Sequence, residues 1–185
     1  KDRLARGDHE GMQVFYNTRL ARCWNPTEES VKADALAARA EDYPLRMIPV
    51  PDVLVLTMAV DVQPNRLELK VVGWGEGLER WMVDFPVLGG SPAEDAVWRD
   101  LDAVLRTIYT HPSGTQMVIQ ATCIDSGGHN TQDVYNYCRL RRNRRVLAIK
   151  GASRPGRPVI ANKPAKMDVN YRGRAEKNGV ELWFV

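Results

Sequence analysis

Two aspartates stand where a charge is costly. Asp61 lies near the end of an apolar run, Val53 to Val62, in "TMAVDVQPNRLELKVVGWG", and Asp125 ends the run in "QMVIQATCIDSGG". A carboxylate in such a setting must be neutralised by something. If the two runs are parallel neighbouring strands, both side chains reach one edge of the sheet. Two close carboxylates repel unless a proton or a cation lies between them. Oxygen ligands of this kind suit Mg²⁺ or Mn²⁺, and two such ions ~3.5–4 Å apart are a common apparatus for phosphodiester hydrolysis. Gly127 and Gly128, just after Asp125, would let a phosphate backbone approach closely. Each aspartate also has a plainer reading. Asp61 can start the turn "DVQPN", and Asp125 can cap a turn through its own side chain. The residues alone leave both readings open.

The 185-residue chain has a net charge of +3 that hides an asymmetry. Residues 1–138 hold 13 Lys+Arg against 20 Asp+Glu, while residues 139–185 hold 13 against 3, so the two segments carry −7 and +10. A concentrated basic end points to a polyanion, nucleic acid first among them, or to a solvated face. Arg141, Arg142, Arg144 and Arg145, with Arg154 and Arg157 further on, are the candidate phosphate contacts. The three cysteines, Cys23, Cys123 and Cys138, form no zinc-type spacing and fit a reducing setting. No apolar run approaches the ~18–20 residues of a membrane span, and the N-terminal "KDRLARGDHEG" has no apolar signal core.

The elements that must position the aspartates read as follows. Residues 1–24 form an irregular arm with a short apolar anchor, "MQVFYNTRL". Asn25, Pro26 and Glu28 signal a helix from Pro26 to about Asp42. "VLVLTMAVDVQ", "RLELKVVGWG" and "RWMVDFPVLGG" read as three strands of an antiparallel meander. Ser91, Pro92 and Glu94 start a second helix carrying Val97, Trp98, Leu101, Val104, Leu105 and Ile108 on one face. "QMVIQATCIDSGG" is the fourth strand, and Asn130 caps a helix through "TQDVYNYCRLRRN". "RVLAIKG" is a fifth strand, "ASRPGRPVIANKPAKMDVNYRGRAEKNG" a long loop or loose hairpin, and "VELWFV" a last strand. The expected class is α/β, a mixed sheet with three antiparallel strands followed by parallel ones, flanked by helices.

Other chemistry is poorly supported. Asp84 reads as an outward-facing strand residue, and Asp168 as a partner for Lys166 or Arg172. His9, His111 and His129 are isolated. There is no Gly-x-Ser-x-Gly elbow and no GxxxxGK[ST] phosphate loop.

"VPDVLVLTMAVDVQPNRLELKVVGWGEGLERWMVDFPVLGG", "CIDSGGHNTQDVYNYCR" and "RVLAIKGAS" resemble the nuclease portion of the large terminase subunit of tailed bacteriophages, the lambda-type GpA family. "FYNTRLARCW" resembles the segment that joins this nuclease to the ATPase motor. The likeness runs from about Met12 to Val185. It implies an RNase H-like fold and a metal-dependent endonuclease that cuts concatemeric double-stranded DNA during packaging, in the host cytoplasm, with two Mg²⁺ or Mn²⁺ ions. Asp61 and Asp125 match the family's first two acidic residues, and Lys150 its IKG lysine, for which a phosphate contact is the expected role. The resemblance also implies a further acidic residue beyond "VELWFV", so a C-terminal end truncated here is expected. Residues 1–50 would be a linker arm leading from an ATPase domain that alone binds ATP, and residues 51–185 the nuclease. Partners would be DNA and, through the longer protein, the terminase small subunit and the portal or procapsid. A resolvase- or transposase-type RNase H-like nuclease, and a non-catalytic DNA-binding or portal-docking module, are the alternatives.

Overall fold

The computed structural model describes residues 9–20, 33–152 and 158–185. The chain divides into two compact units, Lys1–Asp42 and Tyr43–Val185. In the first, α1 spans His9–Arg19 and α2 spans Ala33–Ala37. The apolar anchor expected in the arm is thus helical. The expected helix from Pro26 lies partly outside the described residues, and it stops at Ala37 rather than Asp42.

The second unit is built on an eight-stranded mixed sheet in the order β3-β2-β1-β7-β8-β10-β9, with β4 also paired to β2. The strands are β1 (Val55–Gln63), β2 (Arg66–Trp74), β3 (Arg80–Asp84), β4 (Val87–Gly89), β7 (Ile119–Asp125), β8 (Val146–Lys150), β9 (Ala165–Tyr171) and β10 (Arg174–Phe184). A separate two-residue hairpin, β5 (Tyr109–Thr110) with β6 (Gln116–Met117), precedes β7. Pairing is antiparallel within β1–β2–β3 and between β9 and β10, and parallel across β1–β7–β8–β10. This is the expected mixed α/β sheet and is consistent with an RNase H-like fold.

One face of the sheet holds the core. Leu56, Met58 and Val60 of β1, Leu67, Leu69 and Val71 of β2, Ile124 of β7 and Ala148 of β8 are all buried. They form one cluster with Val97, Trp98, Leu101 and Leu105 of α3 (Asp95–Leu105) and Val134, Tyr135, Tyr137 and Cys138 of α4 (Thr131–Arg139). Strand alternation thus buries every second residue, and helical spacing supplies the matching stripe. Trp98 and Tyr137 join the two helices, with ring centroids 4.7 Å apart.

Several details depart from the sequence-based expectations. The third strand is interrupted at Phe85–Pro86 and becomes β3 and β4, because proline supplies no ladder N–H. Helix α3 starts at Asp95, not at Ser91. Ser91 instead closes a turn, its carbonyl accepting Glu94 N–H at 2.9 Å. Ile108 lies beyond the helix and is 55% exposed. Asp84 is not outward-facing but buried. Its carboxylate accepts Phe85 N–H (2.9 Å) and the Tyr109 hydroxyl (3.3 Å) and pairs with Arg46 (3.4 Å). Asp168 accepts Asn178 N–H at 2.8 Å, while Arg172 pairs with Asp95. Most of the basic loop is the β9–β10 hairpin, turning through Arg172 (φ 49°) and Gly173 (φ 78°). Two successive positive φ values match the right-handed twist of such a hairpin.

Candidate active site

The carboxylates meet through register. Gln63 and Arg66 close the β1–β2 hairpin around Pro64–Asn65. In the parallel ladder Val60 pairs with Ile124, so Asp61 and Asp125 occupy the next positions of adjacent strands. Since Val60 and Ile124 are buried under the helices, period-two alternation turns both aspartates to the opposite face. Asp61 is exposed and Asp125 half-buried. Asp125 pairs in turn with Ile149, so Lys150 follows at the same end of the sheet, exposed but set by alternation on the face opposite to Asp125.

The turn after β7 is held from below. Ser126 is buried and donates to Ile149 O through both its backbone N–H (2.9 Å) and its hydroxyl (2.8 Å). The Thr131 hydroxyl at the start of α4 is shared between the Ser126 and Gly128 carbonyls, each at 2.9 Å. Asn130 occupies the expected N-cap, yet its side chain makes no capping bond. Gly127 N–H donates to Asp125 Oδ1 at 2.9 Å. A Cβ at Gly127 would lie 3.2 Å from that same oxygen, so the glycine is what allows this close turn. On β1, Gln63 Nε2 donates to Asp61 Oδ2 at 2.5 Å.

Each aspartate therefore has one oxygen held by a neutral donor, and Asp61 Oδ1 and Asp125 Oδ2 have no partner among the described residues. Two exposed hard oxygens on adjacent strands fit a divalent cation such as Mg²⁺ or Mn²⁺, with water completing its shell. No group of three or more His, Cys, Asp or Glu among the described residues could hold a metal ion. The donor set present thus supports one shared ion more directly than two.

The arginine cluster is elsewhere. Arg141, Arg142, Arg144 and Arg145 precede Val146, at the end of β8 away from Lys150, which at ~3.3 Å per residue separates them from Ile149 by ~13 Å or more. Three of the four are engaged within the fold. Arg141 reaches Asp102 through Nε (2.6 Å) and Nη2 (2.5 Å) and lies 3.7 Å over the Tyr137 ring. Arg142 pairs with Glu181, and Arg144 donates to Leu105 O at 3.1 Å. Arg145 takes a left-handed turn (φ 54°) and is exposed. Arg154 and Arg157 lie outside the described residues. His129 is exposed on the loop after Gly128.

Reading the residues singly missed Gln63 as the partner of Asp61, and Glu68 as the residue opposite it. Both were accessible from the hairpin, since a two-residue loop at Pro64–Asn65 sets the register. Glu68 is occupied by Arg66, at 2.7 Å.

The family described as "Terminase large subunit gpA, endonuclease domain" matches residues 1–185. The chain is similar to the "Terminase, large subunit" of Escherichia phage lambda, 35% identical over 179 residues, covering 96% of this chain and 26% of that protein. It is likewise similar to the "Terminase, large subunit" of Enterobacteria phage P21, 34% identical over 158 residues, covering 83% and 24% respectively. The chain thus spans about a quarter of the length of these relatives. No solved structure matches it. No described helix is long and apolar enough to cross a membrane. With its two carboxylates at one edge of a mixed sheet and this match along its whole length, the chain belongs to the endonuclease-domain family of phage terminase large subunits.

Proposed function

We propose that this chain is a metal-dependent endonuclease that cuts concatemeric double-stranded DNA as part of a packaging terminase. The observation that carries the reading is the juxtaposition of Asp61 and Asp125 on neighbouring parallel strands, each with one oxygen unpartnered among the described residues. These two residues would hold Mg²⁺ or Mn²⁺, which when bound supplies a nucleophilic water and charge neutralisation for phosphodiester hydrolysis. The full two-ion arrangement needs ligands in addition to this pair.

The remaining roles belong to the chain itself. Gly127 keeps side-chain bulk away from Asp125, leaving room for a phosphate beside it. Lys150, exposed at the same end of the sheet but on the opposite face from Asp125, would contact a phosphate of the DNA backbone as a point charge. Arg145 would bind DNA further from the scissile bond, and Arg142 and Arg144 only where their internal contacts yield; Arg154 and Arg157 remain candidate phosphate contacts by sequence. Arg141 would contribute through the Asp102 pair rather than by touching DNA. Such contacts position the duplex without reading bases. The terminase small subunit and the portal or procapsid would be engaged through the longer protein, within the host cytoplasm.

The test is conversion of supercoiled plasmid to nicked or linear DNA with Mn²⁺ or Mg²⁺. Asp61→Asn and Asp125→Asn should each abolish it while leaving salt-sensitive DNA binding in place. Full cleavage by either variant sinks the site assignment. Binding without cleavage under any divalent ion would favour a non-catalytic docking module, and a preference for junctions a resolvase-type enzyme.

A further inference from the structure

Gln63 is the one side chain among the described residues that hydrogen-bonds Asp61, and the kind of donor matters. Several exposed and half-buried carboxylates elsewhere in the unit are met by guanidinium groups, although Asp168, like Asp61, receives a neutral donor, the Asn178 N–H. Arg66 holds Glu68, Arg141 holds Asp102, Arg139 holds Glu176, and Arg172 holds Asp95. A guanidinium fixes a carboxylate and neutralises it, so the pair has little left for a cation. An amide fixes the carboxylate and leaves its full charge in place. Gln63 and Asp61 are two apart on β1 and therefore share a face. Gln63 Nε2 takes Oδ2 at 2.5 Å, which leaves Oδ1 for another partner. Asp125 is treated the same way by a neutral backbone N–H from Gly127.

We propose that Gln63 is a positioning residue that orients Asp61 for the metal while preserving its charge. The inference rests on Asp61 being a ligand, as proposed above. It predicts that the donor on Gln63, and its neutrality, set metal affinity before any DNA is present. Partners that orient a ligand are commonly worth about 10-fold or more in affinity.

The experiment is Mn²⁺ titration of the full chain by calorimetry, without DNA, on wild type, Asp61→Asn, Gln63→Met and Gln63→Lys. Gln63→Met keeps the side-chain length and removes the donor, and should weaken Mn²⁺ binding by about 10-fold. Gln63→Lys keeps a donor but adds a cation, and should abolish binding as fully as Asp61→Asn. In the cleavage assay, Gln63→Met should raise the Mn²⁺ concentration needed for half-maximal rate while leaving the rate at saturating Mn²⁺ near wild type. Thermal melts without metal should be unchanged, because the pair is exposed. Wild-type Mn²⁺ affinity in Gln63→Met overturns the proposal. So does a Gln63→Met chain that melts early and recovers full affinity at lower temperature. If Asp61→Asn itself binds Mn²⁺ like wild type, the Asp61 site fails first. Loss in Asp61→Asn with retention in Gln63→Met defeats the Gln63 role alone.

Discussion

Asp102 and Asp61 are both partly accessible carboxylates in the same unit, and they are treated in opposite ways. Asp102, on α3, receives Arg141 through two nitrogens and the Tyr137 hydroxyl at 2.9 Å. Burial works to raise its carboxyl, but the bonds from Arg141 and Tyr137 outweigh this and hold it below the ordinary range. Burial, together with the Asp102 charge, pushes the Tyr137 phenol well above its usual value, so it remains a donor. Asp84 is likewise enclosed by partners within the fold, Arg46, Tyr109 and the Phe85 N–H. Asp61 and Asp125 receive one neutral donor each and no cation among the described residues. Charge that stabilises a fold is neutralised inside it, whereas charge kept for an external cation is oriented and left uncompensated. The basic residues divide in the same manner: Arg141 is spent on Asp102, while Lys150 stands exposed at the end of β8.

This contrast can be broken most sharply by exchanging the consequences. Asp61→Asn or Asp125→Asn should reduce Mn²⁺-dependent plasmid cleavage by at least about 100-fold and leave the melting temperature essentially unchanged. Asp102→Ala should do the reverse. It strands the Arg141 guanidinium and the Tyr137 hydroxyl, costing about 2 kcal/mol of stability, or roughly 4–8 °C in a thermal melt, with cleavage intact at low temperature. A stable Asp102→Ala chain with lost cleavage would erase the distinction. Gly127→Ala should lower cleavage by about 10-fold, the effect of a ligand held slightly out of place, since the new Cβ presses on Asp125 Oδ1. Its stability should change by less than about 1 kcal/mol, as for an exposed position. The smallest effect is in pH. Because the folded carboxyl of Asp102 is depressed, its contribution is full above the unfolded value of about 3.9 and is lost as pH falls through the folded value. Acid unfolding of Asp102→Asn, followed by circular dichroism, should therefore show a shallower limb than wild type below about pH 4.

Much of the core was legible because its strands alternate strongly. Leu56, Met58 and Val60, then Leu67, Leu69 and Val71, announce β1 and β2, and Val97, Trp98, Leu101 and Leu105 announce α3. The β9–β10 hairpin was legible only as one of two readings: Ala165, Met167, Val169 and Tyr171 alternate with Lys166, Asp168 and Asn170, but the first half of β10 is exposed and polar, so nothing marks the partner strand. Their turn is made by Arg172 and Gly173 in left-handed conformations, and arginine is no signal for that. Asp84 reads as surface because its apolar strand neighbours do not reveal the partners: Tyr109 and Arg46 arrive from 25 residues later and from the connector before β1.

By itself the sequence determined that two carboxylates end two apolar strands, that glycines follow the second, and that positive charge collects after Cys138. These follow from residue type and local spacing, which short-range physics reads directly. Only the tertiary structure decided that the strands are parallel neighbours in the register that puts Asp61 beside Asp125. It also decided that the arginines lie at the other end of β8, largely occupied, and that no cation among the described residues reaches Asp61 or Asp125. Those facts depend on which distant residues come into contact, and a carboxylate's role is set by the charges that surround it in space.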